Sequence, residues 1–351
     1  MKASLIVPCW NSARTLPRFL ACVEGQSTTD FEVIFIDDGS TDETSALLTD
    51  FAHAPHPFAV RLVTQSNQGV SSARNAGLAV AQGTFIFFAD PDDVIAAEML
   101  SKGLQAMEST GADLCVFPYT ECLEDETTSH LVPLKGTFPL TSNEAIRTQY
   151  LTRLFGYSFA QVKAWYKGAS LFAHRIQGGV CWCVYRRDLI EAHHVRFDPR
   201  IALYEDAMFN SAYLLYATQL VSLNEPLYEY RHAYSGAIAR LRRRGVELAN
   251  KVELLRARQE LDVASGYQLT PLYAASCVFS VLEMVQIVLT FRAPWGTGLR
   301  QVRTYLAAPV VRRAIRDFPL SVRHPVLALG VLVLRLLAPV RRTEPTPAVA
   351  R

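Results

Sequence analysis

The sequence predicts an α/β protein built on a mostly parallel sheet, and three observations carry that expectation. Five short apolar runs alternate with helical patterns over residues 1–117. Acidic residues gather where two of those runs end, at Asp37 and Asp38 and at Asp90 to Asp93. At 351 residues and 50% hydrophobic content, the chain is long enough to bury a large core and to divide into about two domains.

The runs are SLIVP (4–8), FEVIFI (31–36), VRLVT (60–64), FIFFA (85–89) and DLCVF (113–117). Each is rich in strand-forming residues and bounded by turn formers, the pattern of a buried strand. Helical patterns at 12–25, 42–53, 70–82 and 95–109 separate them. Strand, helix, strand repeated in this way implies right-handed crossovers, so the strands run parallel and their carboxyl ends share one edge. That edge receives Trp10 and Asn11, then Asp37 and Asp38, then Asn67 and Gln68, then Asp90 to Asp93. Ligands of open α/β sheets bind beyond such an edge.

Residues 118–239 are less regular. ECLEDETTSH reads as a hairpin or loop, a helix is expected near 142–154, GGVCWCVYRRDLI reads as a strand entering a helix, and YEDAMFNSAYLLY as an amphipathic helix. Residues 240–351 read as a helical region rich in Leu, Val and Arg. Its most apolar piece, HPVLALGVLVLRLLAPV (324–340), contains Arg335 and is shorter than the ~20 residues a membrane span needs, which points to an interfacial or docking helix. The last residues, RRTEPTPAVAR, read as a loose tail.

Charge and cysteine usage exclude several classes. Lys plus Arg (35) nearly balance Asp plus Glu (33), so the net charge of +2 gives no argument for nucleic acid as a partner. The basic residues cluster late, in RHAYSGAIARLRRR, VVRRAIR and VRR, which suggests peripheral contact with a phosphate-rich lipid surface. Seven scattered cysteines form no disulfide framework and no paired zinc pattern, so buried reduced thiols are expected. The amino-terminal apolar run is short and broken by Pro8 and Asn11, unlike a signal peptide. A cytoplasmic protein is expected, with peripheral contact at the inner face of a membrane.

The chemistry concentrates in FADPDD (88–93), where a buried strand runs straight into Asp90, Asp92 and Asp93. Hard oxygen ligands at that place suit Mg²⁺ or Mn²⁺, which take one or two carboxylates and complete their shell with substrate phosphates. The same residues also fit a polar turn that starts a helix.

VPCWN (7–11), IDDGSTDET (36–44), NQGVSSARNAGL (67–78), FADPDD (88–93) and YEDAMF (204–209) occur in that order at intervals that fit one nucleotide site. Together they closely resemble the family 2 inverting glycosyltransferases, whose catalytic domain has the GT-A fold. The resemblance covers residues 1 to about 235 and leaves the carboxyl-terminal helices unmatched. It implies a nucleotide diphosphate sugar as donor, with a UDP-linked sugar expected, and a hydroxyl of a cell-surface polysaccharide or lipid-linked glycan precursor as acceptor.

Residue by residue, the resemblance implies that Asp38 accepts the imide N–H of a pyrimidine, with Asp37 structural. Trp10, set by the turn at Pro8, lies near the base or else in the core. Arg74 reaches the base or the diphosphate, its planar fork suiting both. Asp92 binds the metal, Asp90 contacts the ribose or the metal through water, and Asp93 caps the following helix. The acidic pair Glu205 and Asp206 supplies the general base, Asp206 in first place. In YEYRHAYSG (228–236), Arg231 and Ser235 stand where donor phosphates are held, and His232 is either an extra metal ligand or structural. Tyr157, Trp165, Tyr166 and Trp182 are expected to shape the acceptor side. Two rivals remain. A nucleotidyltransferase would carry a Gly-rich basic loop after the first strand, where PCWNSART stands. An idle scaffold of the same fold would have lost acids that are all present here.

Overall fold

The computed structural model describes residues 1–123, 128–156, 161, 178–232, 247–277, 279, 306, 307, 309 and 312. The expected alternation is present: β1 (Ala3–Cys9), α1 (Leu16–Glu24), β2 (Phe31–Asp38), α2 (Thr44–His53), β3 (Ala59–Gln65), α3 (Val70–Val80), β4 (Phe85–Phe88), β5 (Val94–Ile95), α4 (Met99–Thr110) and β6 (Leu114–Val116). Every residue of β1 and β2 is buried, as expected of strands covered on both faces. Helix α3 lies directly on them because Gly77 has no side chain; a Cβ there would meet Ile6 Cγ2 at 2.4 Å and Ile36 Cδ1 at 2.9 Å.

After β6 the chain forms the hairpin β7 (Tyr119–Leu123) and β8 (His130–Val132), then α5 (Asn143–Ile146), a π-helical turn (Arg147–Leu151) and α6 (Thr152–Phe155). It continues with β9 (Cys183–Arg186), α7 (Arg187–Ala192), α8 (Glu205–Leu214), β10 (Leu220–Ser222) and β11 (Tyr228–His232). Seven strands form one sheet in the order β10-β6-β9-β4-β1-β2-β3. All its neighbours pair in parallel except β9, which is antiparallel to both β4 and β6. With β9 inserted there, the loop that precedes it meets the edge beside the end of β4. A second sheet, in the order β5-β11-β7-β8, binds the residues just after the acidic turn to β11.

Two local expectations differ in detail. Helix α2 begins at Thr44, and the group that closes its start is Asp42, whose Oδ1 accepts from the Thr44 amide. Asp93 caps no helix, since α4 begins only at Met99. Behind α8, Phe88, Tyr185, Phe197, Phe209 and Tyr213 form an edge-to-face cluster in which Phe197 and Phe209 stack at 4.2 Å. This cluster fixes the helix that carries the acidic pair.

The chain divides into two compact units, residues 1–155 with 170–250, and residues 156–169 with 251–351. Helix α9 (Glu247–Ala264) has Asn250 in the first unit and its later residues in the second, and it ends at a turn where Asp262 accepts from the Leu269 amide and the Thr270 hydroxyl. No helix among the described residues is long and apolar enough to cross a membrane. The stretch 324–340 and the tail lie outside the described residues.

Candidate active site

The ends of β1 and β2 are laced together by short polar side chains. Asn11, in a left-handed conformation at φ 50°, accepts from the Thr41 amide through Oδ1, and its own amide donates to Ser40 Oγ. The Ser12 amide donates to Thr44 Oγ1 and the Ala13 amide to Asp42 Oδ2. Asp37 accepts from the Ser40 amide. Asp38, buried at the end of β2, accepts from Gln65 Nε2 and the Gln68 amide through Oδ1, and from the Gly69 amide through Oδ2. Gly39 makes this possible: its φ is +70°, and a Cβ would lie 2.7 Å from the Asn67 amide nitrogen. Pro8 is buried in β1 and Trp10, just beyond, is 45% exposed.

The acidic turn follows β4. Asp92 is exposed at its tip, and its carbonyl accepts from Arg18 Nη2 of α1 at 2.5 Å. The Asp90 side chain is 30% exposed. Asp93 points inward and is buried, accepting from the Tyr228 hydroxyl at 2.5 Å and the Arg231 amide at 2.7 Å. Burial pushes its carboxyl well up, and the neighbouring charges of Asp92 and Asp90 add to the shift.

Arg74, only 3% exposed, joins the turn to α8. Its Nη1 donates to Asp206 Oδ1 at 2.5 Å and Glu205 Oε1 at 3.2 Å, and its Nη2 to Asp90 Oδ1 at 3.0 Å. The guanidinium also sits 5.3 Å from the Phe197 ring centroid. Burial alone would lower its pKa, but Asp206 and Asp90 outweigh that and hold it raised. Three carboxylates thus share one guanidinium. Glu205 and Asp206 are 15% and 22% exposed. Burial, then the charge of Asp206, pushes Glu205 up to about 8, and the Arg74 cation opposes the rise. Burial also raises Asp206, but the Arg74 cation opposes that rise. Asp206 Oδ2 faces the Val180 amide at 3.4 Å.

Long-range bonds hold α8 in place. Asn250 accepts from the Ala202 and Leu203 amides just before the helix, and Asn210 donates to the carbonyls of Gly178 and Gly179. Tyr204, at the helix start, is exposed and left-handed at φ 70°. The structure therefore brings Arg74, Asp90, Glu205 and Asp206 together. Asp38, Trp10 and Pro8 belong to the neighbouring β1–β2 edge. Arg231 is ion-paired to Glu229 at 2.7 Å. The His232 side chain, Ser235, Tyr157, Trp165 and Tyr166 lie outside the described residues. Trp182 stacks on Tyr119 at 4.0 Å and covers Gly179, so one face of its indole is taken. Sequence reasoning missed Tyr228, Arg18 and Cys181; the Cys181 thiol lies 3.8 Å from Asp90 Oδ2. The only sequence trace of these is their nearness to motifs, since each acts across a long separation.

Residues 4–169 match the family model described as Glycosyl transferase family 2. That similarity spans just under half of the chain. It is 28% identical over 228 residues to the uncharacterized glycosyltransferase EpsJ of Bacillus subtilis, covering 65% of this chain and 60% of EpsJ, so it spans about three fifths of that relative's length. It is 26% identical over 305 residues to the uncharacterized glycosyltransferase YibD of Escherichia coli, covering 82% of this chain and 79% of YibD. Among solved structures, residues 1–349 of S. aureus TarS align with a TM-score of 0.62 at 18% identity, over 96% of this chain and 90% of that one. That likeness is one of fold, and the fold is GT-A.

Among the described residues, no three His, Cys, Asp or Glu side chains stand close enough to hold a metal ion unaided. The donor set of the acidic turn nevertheless fits Mg²⁺ or Mn²⁺. Asp92 is exposed and Asp90 partly so, both offer hard oxygens, and these ions bind through one or two carboxylates with phosphate oxygens and water completing the shell.

Proposed function

We propose that this glycosyltransferase moves a monosaccharide from a UDP-linked donor, with inversion, to a hydroxyl of a cell-surface polysaccharide or lipid-linked glycan precursor. The observation that carries the reading is the cluster in which Arg74 joins Asp90 of the acidic turn to Glu205 and Asp206 of α8. A diphosphate site and a proton acceptor stand side by side, as a one-step displacement at an anomeric carbon requires. TarS has been solved with UDP and with UDP-GlcNAc, which supports a uridine nucleotide here.

In this reading Asp38 and Trp10 receive the base, and Asp90 and Asp92 hold a Mg²⁺ or Mn²⁺. The ion, when bound, supplies charge neutralisation for the departing diphosphate. Asp206 takes the proton of the acceptor hydroxyl as the hydroxyl oxygen attacks the anomeric carbon and the diphosphate leaves from the opposite side. Burial favours this role by raising the proton affinity of Asp206, while Arg74 keeps the carboxylate ionised. Arg231 and His232 are read as donor-phosphate and metal contacts that form when the donor binds. The late basic residues bring the enzyme to the cytoplasmic face of an anionic membrane, where lipid-linked acceptors reside.

The test is a panel of nucleoside diphosphates scored by the rise in melting temperature with Mn²⁺ and with EDTA, in the wild type and in Asp92→Ala. UDP should stabilise the wild type in Mn²⁺ and much less in EDTA, and Asp92→Ala should lose the difference. Equal stabilisation in EDTA would overturn the metal role. Full-length protein that ignores anionic vesicles at low salt would overturn the membrane role.

A further inference from the structure

We propose that Tyr228 is a positioning residue for the acidic turn, holding the backbone of Asp90 and, through Asp93, the loop that presents Asp92. The Tyr228 hydroxyl donates to Asp93 Oδ2 at 2.5 Å and accepts from the Asp90 amide at 3.1 Å. Asp93 Oδ1 accepts from the Arg231 amide at 2.7 Å. A closed circuit therefore runs from the first acid of the turn, through a phenol and a buried carboxylate, to the strand that carries Arg231. Both Tyr228 and Asp93 are buried, so neither hydrogen bond competes with water.

The pairing of strands fixes the geometry of this circuit. Glu229 pairs with Val94 and Tyr228 with Ile95, so β11 grips the chain immediately after the turn while the hydroxyl grips its start. The turn is held at both ends, and the Asp92 side chain is left outside in solvent. A short loop between two buried anchors has little freedom to move its carboxylates away from the geometry an ion needs. Bonds of this kind, one step removed from the ligands, commonly set metal affinity or activity by about 10–100-fold. Since Arg231 lies on the same strand, any ligand that draws on Arg231 acts on the strand that holds the turn.

This proposal rests on the reading that Asp90 and Asp92 serve a divalent ion and a nucleoside diphosphate. It is tested on the full chain by calorimetry of UDP binding across a Mn²⁺ series in five proteins: wild type, Asp92→Ala, Tyr228→Phe, Asp93→Asn and the double variant Tyr228→Phe/Asp93→Asn. Asp92→Ala should abolish the Mn²⁺ dependence. Tyr228→Phe retains the ring and should need roughly 10–100-fold more Mn²⁺ for half-maximal UDP binding, with affinity returning towards wild type at saturating Mn²⁺. Asp93→Asn keeps one acceptor oxygen of two and should shift the same way. The double variant should be no worse than the more severe single one, because the two residues act as one unit. If Asp92→Ala loses the dependence while Tyr228→Phe and Asp93→Asn keep the wild-type Mn²⁺ midpoint, the positioning role is wrong and the metal reading stands. If Asp92→Ala keeps it, both fall. A variant that merely loosens the fold would lower the melting temperature without moving the Mn²⁺ midpoint, and that result also overturns the proposal.

Discussion

Two carboxylate sites stand on the same sheet edge and are built on opposite principles. Asp38 is held by neutral donors, one side-chain amide from the last residue of β3 and two backbone amides from the loop that follows it. Glu205, Asp206 and Asp90 are held by a single cation, Arg74, drawn from a helix far away in sequence. The first arrangement depends on backbone shape. The second depends on charge count. The contrast teaches that the two sites can be damaged independently, the one by steric changes and the other by changes in charge.

The largest effect should follow from removing the cation. Arg74→Met leaves three partly buried carboxylates unbalanced, and loss of one partner from a buried ion pair typically costs about 3–5 kcal/mol. Denaturant unfolding at pH 7 should show that loss. Without Arg74 the carboxylates bind protons more readily, so the deficit should shrink as pH falls. A deficit that does not vary with pH would mean that Arg74 acts through packing alone.

Next in size is the proton on Glu205. Its folded value of about 8 lies above the ordinary 4.5, so the folded state binds the proton more tightly than the unfolded chain. The resulting stability is complete below 4.5 and is lost as pH rises towards 8. Glu205→Gln should flatten the fall of melting temperature across that window. Above it the variant should be more stable than wild type, which must ionise a buried carboxyl there. Parallel curves for the two proteins would show that Glu205 is already ionised.

The smallest effect belongs to the steric site. Gly39→Ala should cost about 1–2 kcal/mol from the left-handed backbone, with a further contribution because the Cβ would press on the Asn67 amide. UDP affinity should fall with it, since Asn67 to Gly69 is the loop that holds Asp38. The pH dependence of stability should stay as in wild type. A change in that dependence would mean that the two sites are coupled.

The same division governs how much the sequence reveals. Strands β1 to β4 and β6 are legible because each is an apolar run stopped by acids or turn formers. Asp38, Asp90 and Asp92 stand out for that reason, whereas Glu205 and Asp206, in the first turn of α8, stand out only through the resemblance. The short strands β5 and β10 carry too few residues to show alternation, and β9 joins the large sheet antiparallel although its own residues read only as a strand. Asp93 looks like a helix cap because Asp-Pro-Asp-Asp is a common helix start, while its partners Tyr228 and Arg231 lie 135 and 138 residues away. Arg74 reads as a nucleotide contact for the same reason: nothing local to SSARNAGL discloses three carboxylates that arrive from two other elements.

The central claim is that Asp206 removes the acceptor proton and does not hold the donor. Asp206→Asn keeps the shape of the side chain and loses its basicity. Single-turnover transfer at saturating donor, run beside calorimetry of UDP binding in Mn²⁺, should show a rate reduced by about 10²–10⁴-fold with UDP affinity near that of wild type. Near-normal transfer by the variant would contradict the account and move the base elsewhere; lost UDP binding would place Asp206 at the diphosphate instead.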